Sequence, residues 1–70
     1  MKEYITNNVN TLRTKMAITQ EDFASAVGVS RQTVISIEKG NYTPSIHLAL
    51  KIAAFFKTRV ESIFSIAYEK

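Results

Sequence analysis

Residues 19–44, TQEDFASAVGVSRQTVISIEKGNYTP, leave a 70-residue chain few ways to fold. They read as two short helices joined by a tight turn at Gly28 and followed by a polar loop. Thr19 stands at an N-cap position, and Asp22 follows three residues later, a capping box with Asp in place of Glu. Glu21 and Asp22 also favour the positive end of the helix dipole. Phe23, Ala24 and Val27 form the inner face, and Ala24 is small enough to let another helix cross closely. Gly28 falls where a left-handed cap is expected. Ser30 caps the next helix, which ends at Gly40. On a wheel of about 100° per residue, Val34, Ile37 and Glu38 cluster on one side. Gln32, Ser36 and Lys39 cluster opposite, flanked by Thr33 and Ile35, with Arg31 in the first turn. Thr33, Val34, Ile35 and Ile37 are poor intrinsic helix formers, so packing must hold this helix.

Helical periodicity also governs the remainder. A first helix is expected over residues 8–16, with Val9, Leu12 and Met16 on one face and Arg13 at its edge. A fourth is expected over residues 45–57, capped either by Ser45 or by Thr43 with Pro44 at the first helical position. Its inward face reads as Ile46, Ala49, Leu50, Ala53 and Phe56, with Ile52 beside them and Leu48 and Phe55 on the far side. A short fifth helix over residues 60–64 supplies Val60, Ile63 and Phe64. The ends, Tyr4-Ile5-Thr6 and Ser65-Ile66-Ala67-Tyr68, are rich in β-branched and aromatic residues. They pair as a two-stranded sheet, fray, or extend the helices.

Several function classes are disfavoured by what the chain lacks. Without cysteine there are no disulfides and no thiolate metal sites. His47 alone makes no metal site and reads as an exposed helix residue. There are no paired carboxylates in a plausible cleft, no cysteine nucleophile and no glycine-rich phosphate loop, so neither an enzyme nor a cofactor is expected. Apolar runs are short and broken by charge, so the expectation is a soluble cytoplasmic protein that does not enter a membrane. Length and the absence of repeats or linkers point to one domain over residues 1–70, with a core at 8–64 flanked by 1–7 and 65–70. A domain this small benefits from a partner. Nine Lys/Arg against six Asp/Glu give a net charge of +3, which suits a polyanion but is a weak signal alone.

The combined pattern resembles the Cro/C1-type helix-turn-helix repressors, the XRE family. The residues that carry the resemblance are Leu12-Arg13, Thr19-Gln20, Phe23-Ala24, Val27-Gly28-Val29-Ser30, Arg31-Gln32-Thr33, Ile37-Glu38, Gly40, Pro44-Ser45, Ile52-Ala53 and Ile63-Phe64. The resemblance implies an all-α, five-helix lambda-repressor-like DNA-binding bundle of a compact subtype whose termini form a small sheet. It also implies a twofold dimer on a palindromic operator and a role in transcriptional regulation as a repressor. In the family a glutamine at the Gln20 position braces the start of the recognition helix, here near Arg31 and Gln32. There are departures. Lys57 replaces a common glycine, which strains or rearranges that turn, and Thr58 replaces a valine-like core residue. Lys39 stands where Asn is frequent and adds phosphate attraction. Ile35 stands where a small or polar residue is common.

Recognition of a duplex needs phosphate contacts to position the protein and base-edge contacts to choose sequence. Gln32 points furthest from the core and matches N6 and N7 of adenine. The Arg31 fork matches O6 and N7 of guanine, or holds a phosphate from the flank. Thr33 and Ser36 are secondary readers. Ile35 meets a thymine methyl or packs on a neighbouring loop. Gln20, with the free N–H groups at the start of its helix, suits a phosphate. Ser30, Lys39, Asn41, Tyr42 and Thr43 complete the phosphate set around an ordinary polar turn at Gly40. Arg13 and Glu38 sit beside apolar stripes and are expected to pair as a half-buried ion pair with a structural role. Leu48 and Phe55, with Ile63, Ile66 or Tyr68, are expected to form a self-complementary dimer patch, unless the C-terminal segment covers them within one protomer. The alternative function is an antitoxin-like or other protein-binding module that uses this apolar C-terminal surface.

Overall fold

The computed structural model describes residues 2–69. In chain order the elements are β1 (Lys2–Asn7), α1 (Val9–Lys15), α2 (Gln20–Val27), α3 (Arg31–Glu38), α4 (Ile46–Phe55), α5 (Val60–Ile63) and β2 (Phe64–Glu69). The side chains of Thr19, Ser30 and Ser45 accept the backbone N–H of Asp22, Thr33 and Leu48, so hydroxyls cap the first turns of α2, α3 and α4. For α4 the cap is therefore Ser45.

Four helices close with the same paired backbone bonds. Gly28 donates to Ser25 and Val29 to Ala24, while Gly40 donates to Ile37 and Asn41 to Ser36. Ala17 donates to Thr14 and Ile18 to Arg13, while Lys57 donates to Ala54 and Thr58 to Ala53. This is the Schellman closure, which needs a left-handed residue. φ is 78° at Gly28 and 81° at Gly40, but also 57° at Ala17 and 55° at Lys57. The Lys57 turn keeps the glycine geometry and bears the strain of a side chain there.

The core is a cluster of Val9, Phe23, Ala24, Val27, Val34, Ile37, Leu48, Ile52, Ala53 and Ile63, to which every helix contributes. Phe23 stacks on Phe56 and meets Phe55 edge-on, each with ring centroids 5.2 Å apart. Two expected faces differ from those observed. Met16 is exposed because α1 stops at Lys15 and the left-handed Ala17 turns the chain away from the Val9–Leu12 stripe. α4 is rotated relative to expectation: Leu48 is only 7% exposed, whereas Ile46 and Leu50 are 81% and 55% exposed. The α4 sequence, IHLALKIAAF, is apolar almost all round, so hydropathy offers two stripes. The stripe that meets Phe23, α2 and α5 is the one through Leu48 and Ile52.

Of the three options for the chain ends, the observed one is a two-stranded antiparallel sheet. Lys2 lies opposite Glu69, Ile5 opposite Ile66 and Asn7 opposite Phe64. Directly opposed residues share a face, so Ile5, Ile66 and Tyr68 stand together with Glu3, Asn7 and Phe64. The Asn8 N–H donates to the Ile63 carbonyl at 3.1 Å, which ties the base of this ribbon to α5. Among the described residues, no helix is long and apolar enough to cross a membrane.

Candidate nucleic-acid interface

The capped start of α3 presents Arg31 and Gln32 as exposed side chains, while Val34 and Ile37 on the opposite side are buried. Thr33, Ile35 and Ser36 are half-buried between them. The Thr33 hydroxyl lies 3.0 Å from that of Ser30, so the pair forms one small polar group at the helix start. Ile35 stands outside the core cluster. Past the helix, Lys39, Asn41, Tyr42 and Thr43 are all exposed on the loop that the Gly40 turn sets.

The opposite end of α3 is anchored by one carboxylate. Arg13 Nε donates to Glu38 Oε2 at 2.7 Å and Nη2 to Oε1 at 3.2 Å, a bidentate pair from α1 to α3. Arg13 Nη1 donates to the Ile18 carbonyl at 2.7 Å. Asn10 Nδ2 and Gln20 Nε2 donate to Glu38 Oε1 at 3.0 and 3.1 Å. The two ionic side chains are 10% and 5% exposed. Burial pushes the Glu38 pKa up, but hydrogen bonds from Arg13, Asn10 and Gln20, with the Arg13 charge, outweigh it and hold the group below the usual carboxylate range. The hydrogen bond to Glu38 raises Arg13 in turn, burial opposing it.

Gln20 is where the geometry departs most from expectation. Its amide turns to Glu38, at the far end of α3, and not to Arg31 or Gln32. A buried carboxylate is the strongest acceptor within its reach. Gln20 still lines a shallow recess with Arg13, Thr19, Glu21 and Arg31, where the starts of α2 and α3 come together.

The expected dimer patch is divided by the fold. Leu48 and Ile63 lie in the protomer's own core, and Phe55 packs against Phe23 and Phe56. Leu48 and Ile63 are thus buried within the protomer, while Phe55 is half-buried. Ile66 and Tyr68 remain 57% and 59% exposed on the ribbon. His47 is exposed. No group of three or more His, Cys, Asp or Glu among the described residues is placed to hold a metal ion.

Three asparagines escaped sequence reasoning. Asn7 Nδ2 donates to the Ile37 carbonyl at 2.9 Å, Asn8 Nδ2 to the Ser62 carbonyl at 3.2 Å, and Asn10 Nδ2 to Glu38. The run Thr6-Asn7-Asn8-Val9-Asn10 signals a helix start and nothing more. The partners are remote in sequence, and no local pattern reveals them.

A family model described as helix-turn-helix matches residues 9–63. An uncharacterized HTH-type transcriptional regulator of Methanocaldococcus jannaschii is 53% identical over 58 residues, 83% of this chain and 88% of that protein. The cryptic phage CTXphi transcriptional repressor RstR of Vibrio cholerae is more distant, 27% identical over 59 residues, 84% of this chain and 53% of that protein. Among solved structures, the transcriptional regulator VanUg matches with a TM-score of 0.77 at 20% identity, over 99% of this chain and 92% of that one. At that identity the likeness concerns the fold.

Proposed function

The chain belongs to the Cro/C1-type (XRE) helix-turn-helix family of transcriptional regulators, and on that premise we propose that it is a repressor that binds a palindromic operator as a homodimer. The observation that carries this reading is the exposed pair Arg31 and Gln32 at the start of α3, with that helix's other side buried. Gln32 reads an adenine edge, and Arg31 reads a guanine or grips the phosphate beside it. Ser36 and Thr33 are lesser readers, and Ile35 meets a thymine methyl. Lys39, Asn41, Tyr42 and Thr43 hold the backbone on one side of the half-site. The recess at the start of α2 takes a phosphate on the other, with Gln20 and Arg31 on its rim. The five helices are read as a lambda-repressor-like bundle.

One α3 covers only a few base pairs, so a second copy is needed to read the next major groove, about 34 Å away. The proposed contact is the ribbon face bearing Ile66 and Tyr68, with Ile5 beside them. Its support is that a two-stranded ribbon is marginal alone and here keeps large apolar side chains in solvent. The repressor role is supported by the distant phage relative.

Selection of bound duplexes from random DNA tests the reading. The expected product is an inverted repeat with half-site centres about 10 bp apart, or a multiple of that, bound less tightly as salt rises. A chain that enriches no sequence and shows no salt-sensitive binding to DNA sinks it.

A further inference from the structure

Asn7 is bonded through both atoms of its side-chain amide. Oδ1 accepts the Val9 N–H at 3.0 Å, and Nδ2 donates to the Ile37 carbonyl at 2.9 Å. Exchanging the two atoms sets donor against donor and acceptor against acceptor, so the orientation follows from the partners. The Ile37 carbonyl also accepts the Gly40 N–H at 3.0 Å, which uses both of its lone pairs. The next residue is Glu38. The end of α3 is therefore held at two adjacent points: Glu38 by side chains of α1 and α2, and Ile37 by the last residue of β1. The second tie leads to the terminal ribbon. Tyr4, Ile5 and Thr6 of that ribbon share a recess with Lys39 and Gly40 just beyond α3.

We infer that Asn7 is a positioning residue for operator recognition: it fixes α3 relative to the ribbon, and so sets the spacing at which two half-sites are read. The inference rests on the dimeric reading above, with the ribbon as the contact between copies. On that reading each recognition helix is carried at a set distance from the twofold axis, and the route from axis to helix runs through β1. One base step along a duplex is about 3.4 Å, so a small swing of α3 on the ribbon changes which spacing fits. The ion pair at Glu38 reaches the ribbon only by way of α1, whereas Asn7 joins α3 to the ribbon directly.

The test uses Asn7→Asp and Asn7→Ser in the full chain. Asp keeps an oxygen for the Val9 N–H and sets a second oxygen against the Ile37 carbonyl. Ser keeps an acceptor near Val9 and is too short to reach Ile37, so it carries the test if the Asp variant does not fold. The probes are the inverted repeat selected by the wild type, the same repeat with one central base pair added or removed, and a duplex with a single half-site. Expected is a loss of about fivefold per protomer on the selected repeat, one hydrogen bond's worth, hence about 25-fold for the pair. Single half-site binding stays within about twofold, and the preference for the selected spacing falls away. A variant that keeps the wild-type spacing preference overturns the inference. So does an equal loss on the single half-site, which makes Asn7 a stabilising residue only. A wild type that selects no inverted repeat fails before any substitution is made, and takes the dimeric reading with it. One measurement needs no variant: the Asn7 side-chain amide exchanges slowly with solvent in the DNA complex, and free exchange there overturns the inference.

Discussion

The two sides of α3 are built to opposite ends. The inner side buries Val34 and Ile37 completely and sets Glu38 under donors from Arg13, Asn10 and Gln20. The outer side leaves Arg31 and Gln32 to solvent. A helix this short, with β-branched residues at Thr33, Val34, Ile35 and Ile37, is weak alone. Its inner side must supply the order that its outer side uses. On the proposed reading stability and recognition are divided across one helix, and substitutions on the two sides should fail in different assays.

The largest effect is expected at the inner anchor. Arg13→Ala leaves the Glu38 carboxylate buried without its cation and should cost about 3–5 kcal/mol in urea denaturation. Replacing both residues together, as Arg13→Met with Glu38→Leu, should cost much less, because no charge is then left buried. A single substitution that costs under about 1 kcal/mol would put the order of α3 elsewhere. The same anchor sets a pH dependence. The folded-state pKa of Glu38 lies below its unfolded value, so between the two the unfolded chain binds more protons and stability rises with pH. The Glu38 contribution is complete above the unfolded carboxylate value, about 4.3, and is lost as pH falls through the lower folded one. Glu38→Gln should remove that part of the acid limb. Parallel wild-type and variant curves across this window would deny the anchor its charge.

The outer side should respond in affinity alone. Gln32→Ala is expected to lose about 1–3 kcal/mol at one base pair and to relax the choice there, with its unfolding midpoint unchanged. An equal loss on every sequence would move Gln32 to the phosphate set. Lys39→Ala sharpens the contrast. It should weaken all sequences alike and reduce the salt slope by about one.

How far these two sides were legible in the sequence differs from helix to helix, for a physical reason. In α2 and α3 each helix has one apolar stripe and one polar stripe, so the wheel admits a single rotation, and the buried residues Phe23, Ala24, Val27, Val34 and Ile37 follow from spacing. The Arg13–Glu38 pair was legible for the same reason, since two opposite charges beside apolar stripes have few other ways to be buried. α4 has no polar stripe wide enough to choose, and its rotation is set by contacts with α2 and α5 that no local pattern encodes. That single uncertainty moved Leu48 into the core and set Phe55 against it, which takes two of the five residues from the expected dimer patch. The asparagines were invisible on different grounds. Their amides bond backbone carbonyls and a carboxylate on remote elements, and a carbonyl carries no residue identity to pair with.

The smallest effects concern the helix ends, where Gly40, at the end of α3, and Lys57, at the end of α4, adopt nearly the same backbone with different residues. A non-glycine residue in the left-handed region costs about 1–2 kcal/mol. Glycine avoids that cost but gives the unfolded chain about 0.4–1 kcal/mol more entropy to lose. Lys57→Gly should therefore stabilise the fold by about 0.5–1 kcal/mol, read as a shift of the urea midpoint at constant slope. Gly40→Ala should do the reverse by a similar amount. A Cβ at Gly40 meets nothing within 4 Å, so its φ of 81° alone decides the sign. If Lys57→Gly gains nothing, the Lys57 side chain must recover the strain through its stem or its charge at the carbonyl end of α4. Lys57→Ala separates the two, because it keeps the left-handed strain and removes whatever the longer side chain contributes.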